Sequence, residues 1–218
     1  MEKYKKYITH IIPFIIMVIS IVASVLSMYN NPAIEYEYDS KLEGYVVKEA
    51  RGNISSYTIP ATINDVPVVG IGIRAFYGHS RLEEVNFAEP QNIKYIERLA
   101  FSECEKLKTI DLRYVEEIGR NAFAYDKSLN NIEINTRYLL SSTFFKCESL
   151  TNITLGEGVQ SIGTYAFAHT AINELRLPRS IKNIYVDALD YMNLNKLYVP
   201  IGFFSSNLDE FDSVIEKY

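Results

Sequence analysis

Apolar residues recur along most of the chain with a period of 21 to 25 residues. The copies begin with Ile-Gly-x-x-Ala-Phe, as at residues 118–123, or with a variant of it, and continue to Leu-x-x-Ile-x-Ile or a close variant, as at residues 129–134. Six copies of a pattern with several fixed positions indicate a repeat architecture. We call the sixth position of this block the Phe place and number the coils one to six in chain order. The residues at the Phe place are Phe76, Phe101, Phe123, Phe144, Phe167 and Leu189.

Within each copy the spacing of apolar residues predicts the local elements. The alternation at residues 132–134 has period two, which is typical of a short strand with every second side chain directed inward. A second apolar pair, such as Val115 and Ile118, predicts another extended segment, and the Ala-Phe pair predicts a helical or 3₁₀ turn on the opposite wall. Because one coil cannot bury its own apolar face, the coils must stack. The sequence therefore predicts a β-rich solenoid of about six coils over residues 71–200. Irregularity is expected in coil four, which lacks the Gly and the Ala, and in coil six, which lacks the Gly and the Phe.

The segments on both sides of the six coils are predicted to close the solenoid. An open end exposes core residues and a strand edge. Residues 35–70, with turns at Gly44 and Gly52, predict an N-terminal β cap. Residues 201–218 predict a C-terminal cap, in which residues 209–217 form a short helix.

An uncharged apolar run at residues 8–28 precedes the repeats. At a rise of about 1.5 Å per residue, a helix of this length spans the hydrocarbon core of a bilayer. Lysines in residues 1–7 precede the run and acidic residues follow it, so the positive-inside rule places this flank in the cytoplasm and the repeats outside. We predict a single-pass transmembrane signal-anchor, joined to the cap by a linker at residues 29–34. The alternative is a signal peptide whose cleavage, removing residues 1–27, secretes the protein.

Composition excludes several classes of function. The formal charge of −5 argues against a general nucleic-acid binder. Two Cys and three His leave no metal-ligand set at the usual spacing, and no catalytic or phosphate-binding motif is present. We therefore expect neither enzyme activity nor a cofactor or metal.

Cys104 and Cys147 occupy the same place in coils two and four, three residues after the Phe place. One coil lies between them, and at about 4.8 Å per coil their Cα atoms are roughly 10 Å apart. A disulfide requires Cα atoms within about 7 Å. The spacing therefore predicts two free, buried thiols. His79 and His169, about four coils apart, are predicted to be turn or ladder residues.

The outward side chains of the predicted main strands are the candidate binding residues. The first three coils present acidic and amide groups, and the last three become neutral and then basic and aromatic. Amides beside a Tyr suit a polar protein or glycan surface, although a plain solvated sheet face has the same pattern. The candidates are Glu84, Asn86, Asp111, Asn131, Glu133, Asn152, Thr154, Arg176 and Tyr198.

Over residues 35–200 the sequence resembles the BspA-like leucine-rich repeat family. The resemblance rests on the Ile-Gly-x-x-Ala-Phe blocks, on the Cys three residues after the Phe place, and on Leu177-Pro178 at the end of a coil. The resemblance implies a cell-surface solenoid that binds a host or cell-surface protein, or a surface glycan, in adhesion. The alternative function is a structural, envelope-organising protein that self-associates or binds a membrane partner.

Overall fold

Short strands recur at two places in the coils of residues 34–218, the part of the chain that the computed structural model describes. This confirms the predicted strand-rich solenoid. A 3₁₀ helix, Ser206–Val214, precedes the last strand. The strands are β1 (Ile34–Asp39), β2 (Gly44–Ala50), β3 (Ser56–Ile59), β4 (Thr62–Ile63), β5 (Val66–Ile71), β6 (Glu84–Phe87), β7 (Tyr95–Ile96), β8 (Glu117–Ile118), β9 (Asn131–Ile134), β10 (Tyr138–Leu139), β11 (Asn152–Leu155), β12 (Ser161–Ile162), β13 (Glu174–Arg176), β14 (Asn183–Ile184), β15 (Lys196–Val199) and β16 (Ile215–Lys217).

The strands form two ladders along the solenoid. The main ladder contains β3, β6, β9, β11, β13, β15 and β16, whose hydrogen-bonded pairs are all parallel. The second ladder follows the order β2-β5-β7-β8-β10-β12-β14 and is also parallel. Antiparallel β1 and β4 pair with β2 and β5 at its N-terminal end. In both ladders each residue pairs with the residue at the same place in the next coil, as Ile132 does with Ile153.

The solenoid has about eight turns, two more than the six coils predicted from the repeat pattern. Before coil one, β2 pairs with β5 and β3 pairs with β6, so residues 44–59 already form a turn. After coil six, β16 pairs with β15 and continues the main ladder. The repeat pattern does not identify the first additional turn, because that turn has Ala50 at the Phe place. Its N–H donates to Ala75 O, just as the N–H of Phe76 donates to Ala100 O.

The C-terminal residues differ in detail from the prediction. The helix runs over Ser206–Val214 and is a 3₁₀ helix, and the next three residues are the strand β16. Within residues 34–218, no helix is long and apolar enough to cross a membrane. The predicted anchor at residues 8–28 and its basic flank lie outside the described residues.

A column of stacked aromatic rings runs through the core of coils one to five. Phe76, Phe101, Phe123, Phe144 and Phe167 are all fully buried. Successive ring centroids lie 4.9 to 5.9 Å apart, and the planes are within 12° of parallel. The preceding Ala of each coil is also buried, except that Thr143 takes this place in coil four. The column confirms that the Ala-Phe pairs form an inner wall, and it fixes the register between coils.

Left-handed backbone recurs at two places in every coil, two residues before and two residues after the Phe place. None of the residues there is β-branched, which agrees with the high cost of positive φ for such side chains. Coil four keeps both turns, at Ser142 and Lys146, so the irregularity expected there was wrong. The residues are Arg74, Leu99, Asn121, Ser142, Tyr165 and Asp187 before the Phe place, and Gly78, Glu103, Tyr125, Lys146, His169 and Tyr191 after it.

Candidate functional site

A groove of about 580 Å³ lies on the main ladder over coils one to four. The structure brings six of the nine predicted binding residues together along it. Five of them lie on strands whose alternate residues are apolar and face the core, as Ile132 and Ile134 do beside Glu133. The sixth, Asp111, takes the corresponding place in coil two, between the buried Ile110 and Leu112. The six are Glu84, Asn86, Asp111, Asn131, Glu133 and Thr154.

The groove forms where the main ladder is interrupted. Coil two joins the ladder only through the bridge between Glu84 and Thr109, and it has no regular strand of its own here. The loop after β6 fills part of the gap, because Gln91 Nε2 donates a 3.3 Å hydrogen bond to Asp111 O. Glu89 and Gln91 of this loop line the groove.

The period-two strand pattern does not predict Glu89 and Gln91, because both residues follow β6 in a loop. The signal that points to them is the 25-residue interval between Phe76 and Phe101, the longest between successive coils. The additional residues form the loop that walls the groove.

The groove is acidic. Its described lining contains four carboxylates, of Glu84, Glu89, Asp111 and Glu133, and a single cation, that of Arg113. That guanidinium is engaged by Asp111, since Arg113 Nε lies 3.0 Å from Oδ1 and Nη2 lies 2.8 Å from Oδ2. These hydrogen bonds hold the pKa of Asp111 below its usual value. In the described part of the chain, no Lys or Arg forms an ion pair with the three glutamates.

The other three predicted residues lie outside the groove. Asn152 pairs with Asn131 of the preceding coil, and its Nδ2 donates to Thr151 Oγ1. Arg176 and Tyr198 are neighbours in β13 and β15. The guanidinium carbon of Arg176 lies 3.5 Å from the ring centroid of Tyr218, so an aromatic ring covers this end of the face.

Among the described residues, the two thiols and two histidines form no reactive centre. Cys104 and Cys147 are free and fully buried, as predicted. Burial raises the pKa of both thiols. His79 packs edge-on against Tyr57 and Phe76, and His169 stacks on Tyr191. Among residues 34–218, no group of three or more His, Cys, Asp or Glu side chains is placed to hold a metal ion.

A stack of parallel coils with a grooved polar strand face is the architecture of a leucine-rich repeat solenoid. The chain belongs to the BspA type leucine rich repeat region family, whose model matches six copies over residues 45–139, 69–195 and 137–213. This assigns the repeat family that the sequence motifs resemble.

Solved bacterial structures share the fold. A leucine rich cell surface protein from Faecalibacterium prausnitzii A2-165 superposes with a TM-score of 0.62 at 23% identity, over 78% of this chain and 53% of that protein. The chain thus spans about half of the length of that relative. A leucine rich repeat protein of T. pallidum gives 0.51 at 24% identity, over 82% and 78% of the two chains. One from Eubacterium ventriosum gives 0.54 at 18% identity, over 82% and 54%. Among proteins with curated descriptions, none matches the sequence.

Proposed function

We propose that the groove on the main ladder is a binding site for a protein partner, and that the chain presents it at the cell surface. The observation that carries this proposal is the convergence of six outward residues from four coils on one groove of about 580 Å³. No chemistry is required of the site: binding arises from contacts made along a rigid face.

The charge of the groove specifies the partner. Three glutamates without ion-pair partners in the described residues favour a segment that carries Lys or Arg side chains. Complementary charge increases the rate of encounter and excludes acidic competitors. Ladder bonds hold the strands on either side of the groove, and the Gln91–Asp111 hydrogen bond ties the loop after β6 to coil two. A lining that is already ordered lowers the entropic cost of binding. Asn86, Asn131 and Thr154 would then supply hydrogen bonds between the charged positions.

The other segments of the chain would place the groove at the cell surface. We propose that residues 8–28 anchor the protein in the cell membrane as a single pass, with residues 1–7 cytoplasmic and the solenoid extracellular beyond a linker at 29–34. Cleavage within residues 1–27 would instead secrete it. Residues 35–70 and 201–218 would serve as caps on the repeats at 71–200. The cell-surface description of the Faecalibacterium protein supports this location.

The proposal is tested by affinity capture with the full-length chain, held in a polyoxyethylene detergent. The bait is incubated with host matrix proteins and, separately, with envelope extract of the source cell, and captured proteins are identified by mass spectrometry. We expect a matrix or surface protein with a basic segment. The double variant Asp111→Asn/Glu133→Gln should reduce its capture about tenfold or more, as loss of charge-assisted contacts does.

The matched variant is Glu174→Gln, which removes one outward carboxylate of the main ladder outside the groove. It should leave capture unchanged. Equal loss with Glu174→Gln would show that net charge, and not the groove, attracts the partner. Recovery of the chain alone, together with oligomers in size-exclusion chromatography, would overturn the proposal in favour of a self-associating envelope protein. Capture that the double variant leaves unchanged would place the partner elsewhere on the molecule.

A further inference from the structure

A second cavity lies on the second ladder over coils three to six, and its charge is opposite to that of the groove. Its volume is also about 580 Å³, and it shares no lining residue with the groove. Its charged lining residues are Arg120, Arg137 and Lys182, and none of its described lining residues is acidic. Because the whole chain has a formal charge of −5, the positive charge of this cavity must come from the local arrangement of its residues. We call it the basic cavity.

The charge of the basic cavity arises from one column of the solenoid. This column contains, in successive coils, Lys94, Glu116, Arg137, Gln160 and Lys182. The N–H groups of Glu116, Gln160 and Lys182 each donate to the member of the preceding coil, and the pairing of Leu139 with Ile118 aligns Arg137 with Glu116. At the start of the column, Lys94 Nζ pairs with Glu116 Oε1 at 3.0 Å. At the corresponding place beside Arg137 the chain has the neutral Gln160. Its Oε1 accepts a 3.2 Å bond from Arg137 Nε and leaves the positive charge uncompensated.

The cations of the basic cavity are available to a ligand. Arg120, Arg137 and Lys182 are exposed at the surface. Across residues 34–218, no carboxylate lies within ion-pair distance of any of the three. Such cations are the usual partners of carboxylate and sulfate groups, and Arg binds them with paired hydrogen bonds.

The basic cavity has a floor of small residues between two tyrosine side chains. Tyr138, Ser161 and Asn183 share one row across coils four, five and six. Tyr138 and Tyr185 are half-exposed, and one coil lies between them, so they are roughly 10 Å apart along the solenoid. Gly163 forms the floor between them, and a Cβ there would lie 2.9 Å from Leu139 O of the preceding coil. The backbone packing therefore keeps this part of the floor free of side chains.

We propose that the basic cavity binds an anionic saccharide, a chain of pyranose rings bearing carboxylate or sulfate groups. The three cations would pair with the acidic groups. The faces of Tyr138 and Tyr185 would contact the apolar face of a sugar ring, because a tyrosine combines a flat apolar surface with a polar end. Hydroxyl and amide groups of Thr164 and Asn183 would bond the sugar hydroxyls. The site does not depend on the proposed function of the groove.

The test measures binding of the full-length chain in a polyoxyethylene detergent, which carries no sugar. The probes are oligogalacturonate for carboxylate, a heparin oligosaccharide for sulfate, a neutral malto-oligosaccharide and a polyglutamate peptide. We expect one or both acidic saccharides to bind, and the two arms identify which acidic group is preferred. The neutral sugar should not bind. If polyglutamate binds as tightly as the saccharides do, the assignment of a saccharide ligand is contradicted and an acidic protein segment is favoured instead. Absence of binding to both acidic saccharides at about 1 mM would also overturn the proposal.

The variants locate the site. Arg137→Gln and Lys182→Gln should each weaken binding about tenfold or more. Gln160→Glu should do the same without removing a cation, because it recreates the compensated pair of Lys94 and Glu116. Tyr138→Ala should weaken saccharide binding through loss of the ring face.

Lys94→Gln is the matched control, since it removes the same charge from the same column outside the basic cavity. Glu133→Gln tests independence from the groove. Both should bind the saccharide as the unmodified chain does. Loss with Lys94→Gln equal to that with Lys182→Gln would overturn the assignment, because the attraction would then be general. Thermal unfolding of every variant confirms that a loss of binding is not a loss of fold.

Discussion

The backbone N–H of Cys104 donates a 2.9 Å hydrogen bond to Oδ1 of Asp126, the residue at the same place in the next coil. Asp126 is fully buried, and its Oδ2 has no hydrogen-bond partner among the described residues. Burial raises the pKa of Asp126 well above its usual value, and the bond from Cys104 opposes this only in part. The side chain is therefore a neutral acid under conditions in which an exposed aspartate is ionised.

This burial makes the stability of the solenoid depend on pH. Above about pH 4 the unfolded chain loses the proton of Asp126 and the folded chain keeps it. The contribution of Asp126 to the free energy of unfolding then falls as the pH rises, by up to about 1.4 kcal/mol per pH unit, until the folded pKa is reached. We expect Asp126→Asn to remove this dependence. Urea unfolding of both proteins at pH 5, 6 and 7 measures this. The free energy of unfolding of the variant, relative to that of the unmodified chain, should increase with pH.

The Asp126→Asn variant has a buried amide N–H₂ in place of Oδ2, so its absolute stability is not the measurement of interest. Asp126→Thr provides a second comparison, because coil five has Thr170 at this place, with its hydroxyl donating to Phe167 O at 2.8 Å. Both variants should show the same flattened pH dependence. Parallel curves for all three proteins would show that Asp126 is ionised in the folded state.

The two buried thiols should be inert in the folded protein. Cys104 Sγ donates to Phe76 O and Cys147 Sγ donates to Phe123 O, each at 3.1 Å. Their raised pKa values leave little thiolate, which is the reactive form. We expect a thiol reagent at pH 8 to label neither cysteine in the native chain and both in denaturant. Rapid native labelling, or a disulfide on a non-reducing gel, would contradict this placement.

These buried residues show how far the repeat pattern predicts the core. The place of Cys104 and Cys147 followed from their common distance to the Phe place, because coils in register put equal positions in one column. The same alignment puts Asp126 between them, but its burial could not be inferred, since aspartate usually lies at the surface. The number of turns was underestimated for a related reason. Ala50 at the Phe place keeps the backbone bonds of a coil while it lacks the residue that identifies one.

The aromatic column predicts a graded response to truncation. Phe123 is fully buried between Phe101 and Phe144, at centroid distances of 5.3 and 5.4 Å. Phe123→Ala removes the ring from a packed core and should lower the free energy of unfolding by about 3–5 kcal/mol. Phe123→Leu, which introduces the residue that coil six has at this place, should cost less. Denaturant titrations followed by circular dichroism measure both changes.

Phe204→Ala is the matched truncation on the surface, because that ring is 85% exposed. It should change the free energy of unfolding by no more than about 0.5 kcal/mol. A loss equal to that of Phe123→Ala would mean that the region around Phe204 is packed in the folded protein. A negligible loss for Phe123→Ala would mean that the column does not hold the coils in register.

The groove could be predicted only in part. The outward positions of β6, β9 and β11 follow from the period-two alternation, and six of the nine candidates line the groove. The interruption of the main ladder at coil two does not follow, because residues 109–112 have the same apolar pattern as a regular strand. Contacts between distant residues were also beyond the pattern: Tyr218 covers Arg176 although 42 positions separate them.

Arg113 should set the acidity of the groove. Its guanidinium hydrogen-bonds both carboxylate oxygens of Asp111 and lowers the pKa of that residue. In Arg113→Gln these bonds are lost, so the pKa of Asp111 should rise towards the usual value, and the groove gains one net negative charge. A lysine-rich peptide should then bind more tightly at low salt, with a steeper loss as salt is added. Carboxyl-carbon NMR between pH 2 and 7 measures the pKa.

The control for this prediction is Arg179→Gln, which removes an arginine outside the groove and should change neither the pKa of Asp111 nor the peptide affinity. An unchanged pKa in Arg113→Gln would mean that the Arg113–Asp111 pair does not persist in solution. The stability contributed by the pair has the opposite pH dependence to that of Asp126, because it is lost as the pH falls through the lowered pKa.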